Sequence, residues 1–538
     1  MSKKQNKNIL IGAAWIYANY YFHVGHLASL LPSDIIARYH RAAGNQVCFV
    51  SGTDCHGTPI TNRAKQEGTT PETIANKYHD SFVRDFAALN FSYDVYGKTS
   101  SDYHKKDVQE MFLKLYNDGW LYEKTISQEY CPTCNMWLND REIVGTCTKC
   151  NGFAKGDQCE ECFSMLEPHE IINKRCATSN TEVILKDNKH LYFKLSQLND
   201  LLETYVNSHQ KTWRTNAYNE SKKYLNMGLI DRAVTRQMDW GIDVPVAGFE
   251  DKKIYVWIEA VMGYLTTCKQ YCEKNSINFD AFLTKNSDFL SYFVHGKDNI
   301  PFHTIIFPAL LHCLNSNWQL PTHIVSAEFI TLNQEKMSKS KGNLYTCHEL
   351  LEQFPADSIR FYTIYNNPEK KDTNYSVEDL ITHHNKFLVG TIGNFINRNI
   401  SYINKKFDGI IKQGTVDAEV KKETLKTYEQ AGKLLEAGET RGALQLITEY
   451  CMFANKFYDS AKPWEQAHND LPGFYNTTYT CAYIIANFAN LLNPFVPQAA
   501  EKISKVFNTN FGNWQEVNIE GDLKVISSDL LFNRIEDK

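Results

Sequence analysis

Two imidazoles stand three positions apart in His23-Val24-Gly25-His26, just after an apolar run. Far downstream, two ammonium groups and two hydroxyls crowd into Lys336-Met337-Ser338-Lys339-Ser340. Imidazoles can donate hydrogen bonds to phosphoryl oxygens as charge builds on them. Mobile ammonium groups such as Lys336 and Lys339 can neutralise a departing pyrophosphate. Either string alone is a common accident or a solvated loop. In this order, they read as a nucleotide site assembled from two distant segments. Asp54 ends a second apolar run, where a carboxylate can hold a free α-ammonium group by a charge-assisted bond. From its neighbours alone it is equally a turn aspartate ahead of Gly57.

Cysteines supply a second chemistry. The chain has 15, and seven fall between Cys131 and Cys176. Cys147-Thr148-Lys149-Cys150 and Cys159-Glu160-Glu161-Cys162 are two C-x2-C pairs split by a short loop. Four thiolates suit a closed tetrahedral zinc site with a structural role, and an iron–sulfur cluster is the competing reading. Cys131, Cys134 and Cys176 offer a second, incomplete set, so one zinc per chain is expected and a second site stays open.

These groups need elements to hold them. Asn8-Ile9-Leu10-Ile11-Gly12-Ala13-Ala14 suits a buried parallel strand whose small residues admit a ligand at its carboxyl end. A helix over 26–41 would start near Gly25, where backbone N–H groups lack intrahelical partners and attract phosphate. Apolar runs at Val47–Val50 and Ser291–His295, with a helical pattern over Pro71–Leu89, predict a parallel α/β sheet. Lys253–Trp257 also reads as strand. Between about 126 and 195 cysteines, glycines and turns replace long helices, as in an insertion folded around metal. After about Asp379 the pattern is helical, with long amphipathic stretches at Thr424–Glu449 and Tyr479–Leu492.

The motifs resemble those of the class I aminoacyl-tRNA synthetases, specifically the methionyl-tRNA synthetase family, almost from end to end. Ala13-Ala14-Trp15-Ile16-Tyr17-Ala18-Asn19 through His23-Val24-Gly25-His26 is similar to its first signature. Gly52-Thr53-Asp54-Cys55-His56-Gly57-Thr58-Pro59, Tyr255-Val256-Trp257-Ile258-Glu259-Ala260 and Gly296-Lys297-Asp298-Asn299-Ile300-Pro301-Phe302-His303 are similar to internal blocks. The resemblance implies a methionine–tRNA ligase. Methionine's carboxylate would attack the α-phosphorus of ATP to give methionyl-adenylate, and the terminal adenosine hydroxyl of tRNA(Met) would then take the acyl group. It implies His23, His26, Lys336 and Lys339 as catalytic groups. ATP would be bound by His23, Gly25, His26, Lys336, Ser338, Lys339 and Ser340, with Mg²⁺ entering alongside it.

By the same resemblance, Ala14, Tyr17, Asp54, Trp257, Ala260, Tyr264 and His303 would bind methionine. Aromatic rings suit its soft thioether. Asn394, Arg398 and Trp464 would read the anticodon; Asn394 and Arg398 lie at i and i+4 on one helix face, and an indole can stack an unstacked base. The implied architecture is α/β. A Rossmann-like parallel-sheet catalytic domain occupies 1–125 and 231–325, interrupted by a zinc-knuckle module at 126–230. A loop and stem-contact region follows at 326–385, then an all-α helical-bundle anticodon-binding domain at 386–538. The chain departs from many relatives at Ile16 (proline there), at Tyr20-Tyr21 (small residues), at Phe307 (tryptophan) and at Ser179, where a two-knuckle relative has a cysteine.

Length and charge fit this reading. The chain has 538 residues, a formal charge of −5 and 43% hydrophobic residues, the profile of a folded multidomain protein. Any RNA contact must use local basic patches. The apolar run after the basic start is too short for a signal peptide and no stretch approaches a membrane span, so a cytoplasmic enzyme is expected. With no appended dimerisation barrel expected after Leu531–Ile535, a monomer is expected too. Isoleucine, valine and leucine enzymes carry a larger editing insertion, and a cysteine enzyme would place zinc in its amino-acid pocket. A non-catalytic RNA-binding protein on the same scaffold would not need both motifs intact.

Overall fold

The computed structural model describes residues 6–138, 142–156, 158–162, 166, 170–286, 288–332, 334–336, 344–509, 511–526 and 531–536. Two compact units emerge, one of residues 1–108, 198–229 and 259–538, the other of 109–197 and 230–258.

The first unit is built on a six-stranded parallel sheet. Its strands are β1 (Asn8–Ala13), β2 (Ile16–Tyr17), β3 (Gln46–Asp54), β4 (Val95–Lys98), β5 (Phe289–Gly296) and β6 (His323–Ala327). β1 is central, paired with β5 on one side and β3 on the other. It is buried at every position from Ile9 to Ala13, as suits a strand covered on both faces. The chain leaves β1 toward β3 and β4, then returns on the opposite side to β5. The carboxyl ends of β1 and β5 therefore form the topological switch point where ligands bind in such sheets.

β2 continues β1 along β3 with a slip. Gly12 pairs with Val50, but Ile16 pairs with Thr53, so four residues on one edge span three on the other. That bulge brings Tyr17 opposite Asp54. The Ala14 N–H donates to Val294 O at 2.9 Å and the Ala18 N–H to Asp54 O at 2.8 Å, which fixes the bend.

Helix α1 (Val24–Ala42) contains Pro32, which cannot donate to the carbonyl four residues earlier. The buried Asn367 side-chain amide supplies the missing donor, 2.6 Å from Ala28 O, and the helix continues through the proline. The same helix carries buried Asp34, gripped by the fully buried Arg360 at 2.7 Å; Arg360 also donates to the carbonyls of Leu89, Pro494 and Phe495. Together, these contacts fix α1, and hence the motif at its start, against the helical part of this unit.

Two local expectations change. Lys253–Trp257 is strand only at Lys253–Ile254, after which helix α2 (Val256–Lys274) begins. The Thr424–Glu449 stretch is two antiparallel helices, α3 (Ala418–Glu436) and α4 (Thr440–Ala461). Gly438 at φ +75° turns the chain between them, a break the apolar periodicity runs straight across. Helix α5 (Leu471–Leu492) packs on both.

The second unit is β-rich. Leu121–Cys131 pairs antiparallel with Ile184–Phe193 over ten positions, and a separate small sheet holds Ile143–Cys147, Phe153–Lys155, Gln158–Cys159 and Ile171–Cys176. Among the described residues no helix is long and apolar enough to cross a membrane.

Candidate functional site

His23 is the N-cap of α1 in extended conformation. Its Nδ1 accepts the Gly25 N–H at 3.2 Å, so in the neutral ring the proton sits on Nε2. His26 stacks on it with ring centroids 3.7 Å apart, and Phe22 backs His26 at 5.9 Å. The Val24 N–H donates to Tyr345 O at 3.1 Å. Two of the backbone donors expected to receive phosphate, the N–H groups of Val24 and Gly25, are thus engaged within the protein.

Residues before and after the lysine motif are both anchored. Glu335–Lys336 pairs antiparallel with Ile330–Leu332. On the far side, Thr346 bridges His23, and the Cys347 N–H donates to Phe22 O at 2.8 Å. Thr346 then starts the helix Cys347–Gln353 with a capping box, its Oγ1 accepting the Glu349 N–H while Glu349 accepts the Thr346 N–H. Met337, Ser338, Lys339 and Ser340 lie outside the described residues.

At the carboxyl end of β3, Tyr17 stands opposite Asp54, and Ala14, just past β1, is held by Ser51 and Val294. Gly57, at φ +110°, is required beside them, because a Cβ there would lie 2.1 Å from the Tyr17 hydroxyl. Asp54 is buried, and both burial and the neighbouring Glu259 carboxylate push its pKa well above the usual range. A cation brought to it would restore its charge.

Trp257, Ala260 and Tyr264 follow i, i+3, i+7 spacing along one face of α2. Tyr264 is buried, and its hydroxyl lies 2.9 Å from His303 Nε2, while His303 Nδ1 lies 2.8 Å from Asn299 O. A carbonyl can only accept, so Nδ1 carries the proton and Nε2 accepts from the tyrosine. Burial lowers the His303 pKa to about 4, keeping the ring neutral. His295 stacks on it at 4.1 Å, and Phe293 and Phe307 close the cluster around Tyr264 at 5.0 and 5.6 Å. Phe307, at the departure from the family pattern, is thus a wall of the aromatic cluster.

In the second unit, the ligand sulfurs of Cys147, Cys150, Cys159 and Cys162 lie within 4.8 Å of one another. Two edges measure 4.0 and 3.4 Å. Metal–sulfur bonds of about 2.3 Å in a tetrahedron give edges of about 3.8 Å, so the set fits one zinc ion. Backbone N–H groups of Lys149, Gly152 and Cys162 point at Cys147, Cys150 and Cys159 Sγ, favouring thiolates. Cys131, Cys134 and Cys176 also converge, with Cys134 and Cys176 sulfurs 3.8 Å apart and Ser179 Oγ 3.3 Å from Cys131 Sγ. Ser179 stands beside these sulfurs, also 2.7 Å from Thr181 Oγ1, and a serine is a weaker metal ligand than a thiolate.

In the helical part, Asn394 is exposed at the start of the helix Asn394–Phe407. Arg398 pairs with Asp459 at 2.6 Å and lies over the Tyr458 ring at 4.2 Å. Trp464, 41% exposed, packs against the same Tyr458 at 5.8 Å. Lys462 in left-handed conformation ends α4, and Pro463 opens the next short helix, which turns the indole outward.

Sequence reasoning passed over several residues that shape the site. Thr346, Asn367 and Arg360 act through contacts hundreds of positions away and left no local pattern. Glu259 and His56 stood inside quoted motifs, yet nothing in those motifs shows that they meet.

A parallel sheet with ligand groups at its switch point, a paired-imidazole helix start and a downstream helical bundle define a class I aminoacyl-tRNA synthetase. Residues 9–400 match the family model "tRNA synthetases class I (M)", and residues 411–538 match "Anticodon binding domain of methionyl tRNA ligase". Methionine--tRNA ligase 1 of Alkaliphilus oremlandii is 40% identical over 99% of this chain and 98% of its own length. Methionine--tRNA ligase of Bacillus cereus is 42% identical over 99% of this chain and 97% of its own. The structure of Mycobacterium tuberculosis methionyl-tRNA synthetase in complex with methionyl-adenylate superposes with a TM-score of 0.77 at 25% identity, covering 93% of this chain and 94% of that one. The chain belongs to the methionyl-tRNA synthetase family.

Proposed function

We propose that this chain performs the family's reaction, ATP-dependent ligation of methionine to tRNA(Met), through the following residues. Asp54 and Tyr17 hold the substrate's ammonium end beside Ala14. Trp257, Ala260, Tyr264 and His303 receive its thioether, which packs on aromatic faces. His23 and His26, with Gly25 between them, donate to the α- and β-phosphates. Lys336 and Lys339, with Ser338 and Ser340, neutralise pyrophosphate as it leaves, and Mg²⁺ enters with ATP. Little covalent chemistry falls to the protein, which positions the reactants and stabilises charge. Asn394, Arg398 and Trp464 read the anticodon.

The bridge from His23 to Thr346 carries this reading, because it ties the segment following the lysine motif to the start of α1. Pyrophosphate exchange driven by methionine, but not by leucine or cysteine, tests it. Exchange with leucine in preference would sink the methionine assignment, and no exchange with any amino acid would favour a non-catalytic RNA-binding protein.

Cys147, Cys150, Cys159 and Cys162 would hold one structural zinc, supplying a crosslink where the small sheet has little apolar core. Metal content near one zinc per chain supports this, and a ratio near two would place a second ion at Cys131, Cys134 and Cys176. The domain boundaries set out above, a cytoplasmic location and a monomeric state belong to the same reading. Light scattering at micromolar concentration tests the last.

A further inference from the structure

We infer that Glu259 is a positioning residue for amino-acid binding: it grips His56 from behind and so holds Asp54 where it meets the substrate's ammonium group. The inference rests on the reading of Asp54 given above.

Glu259 lies in the first turn of α2 and is fully buried. Its Oε1 sits 2.6 Å from His56 Nδ1, and His56 is itself only 1% exposed. His56 follows Asp54 by two positions, and its backbone N–H donates to Asp54 Oδ1 at 3.4 Å. One side chain of α2 thereby fixes the loop that aims the carboxyl at the end of β3.

The surroundings are short of donors. Glu259 Oε2 has no hydrogen-bond partner among the described residues. Burial pushes the Glu259 carboxyl well above the ordinary carboxylate range, with Lys105 opposing this. Facing the pair are Asp54 at the end of β3, and His104 and Lys105 from the helix Asp102–Asn117; Cys55 faces Asp54, and Lys98 on β4 faces Cys55. His104 is committed to Thr266 on α2 at 3.0 Å, and burial lowers its pKa to about 3, so it supplies no charge. Two carboxyl groups thus neighbour one another in a buried site, and Glu259 keeps one acceptor oxygen to spare among the described residues. A buried acidic pair kept only for stability would be expected to have its acceptors filled. An incoming ammonium group is the donor such a site lacks.

Methionine-dependent pyrophosphate exchange in Glu259→Gln, Glu259→Asp, His56→Gln and Asp54→Asn tests this, with far-UV circular dichroism to verify folding. Glu259→Gln and His56→Gln should raise the methionine KM by about tenfold or more, with kcat and the ATP KM changed by less than about threefold. Glu259→Asp should recover part of the loss, and the acid limb of kcat/KM for methionine should move in Glu259→Gln. A wild-type methionine KM in either folded glutamine variant, alongside strong loss in Asp54→Asn, overturns the role of Glu259 and leaves Asp54 standing. Wild-type behaviour of Asp54→Asn overturns both.

Discussion

His23 and Thr346 are joined backbone to backbone although 323 positions separate them, and in sequence the bridge lies just past the lysine-rich motif. Neighbouring bonds from Val24 to Tyr345 and from Cys347 to Phe22 make it a short ladder. The start of α1 is therefore tied to the segment Tyr345–Cys347 that follows the lysine motif.

The Thr346 side chain maintains this joint through its capping box. Thr346→Ala should cost about 1 kcal/mol of stability, the usual worth of such a cap. It should also slow pyrophosphate exchange by about tenfold by loosening the tie between the start of α1 and the segment after the lysine motif. Urea unfolding and exchange kinetics on one preparation separate the two effects. A lower stability with unchanged exchange would show that the cap serves folding only.

Tyr264→Phe removes the donor that His303 Nε2 has among the described residues. The expected penalty is about 1–3 kcal/mol, divided between stability and methionine affinity. A denaturation curve and a methionine titration of exchange measure the two shares.

Acid should weaken the fold in two stages. Burial lowers the His104 and His303 pKa values to about 3 and about 4, below the unfolded value near 6.5. The unfolded chain thus binds protons that the folded one refuses. Stability is full above about pH 6.5 and falls as pH drops below it, by up to about 1.4 kcal/mol per unit per ring. Asp34 behaves differently. Burial raises its pKa, but Arg360 and Arg38 prevail and hold it at about 2. Its contribution is present above the unfolded pKa near 3.9 and is lost only as pH falls from there toward 2. Thermal midpoints between pH 7 and 5 should already decline. His104→Gln should flatten that decline.

Trp464→Ala should reduce tRNA charging roughly 5- to 150-fold, corresponding to about 1–3 kcal/mol of lost base stacking. Methionine-dependent exchange should remain close to wild type, since Trp464 belongs to the helical part and not to the sheet ends. Equal losses in both assays would remove the indole from RNA recognition.

How legible all this was depended on range. The apolar run before the imidazoles and the run ending at Asp54 are local signals, and both are strands of the sheet. The C-x2-C pairs were legible because a metal site needs little beyond ligand type and spacing. Helix limits were less so: the break at Gly438 is a backbone event inside an unbroken apolar pattern, and α2 starts two residues past a genuine but very short strand. Least legible were the contacts of Arg360, Asn367, Glu259 and Thr346. Each satisfies a group whose need arises only after folding, such as the carbonyl orphaned by Pro32.

The most direct measurement is methionine-dependent pyrophosphate exchange in His23→Ala and Lys339→Ala, with methionine and ATP affinities determined separately. If the two motifs act on one triphosphate, each variant should lose about 100-fold or more in exchange rate, with methionine binding little changed. The double variant should lose less than the product of the two single losses. Wild-type exchange in either variant, or fully independent losses in the double variant, would contradict a shared nucleotide site.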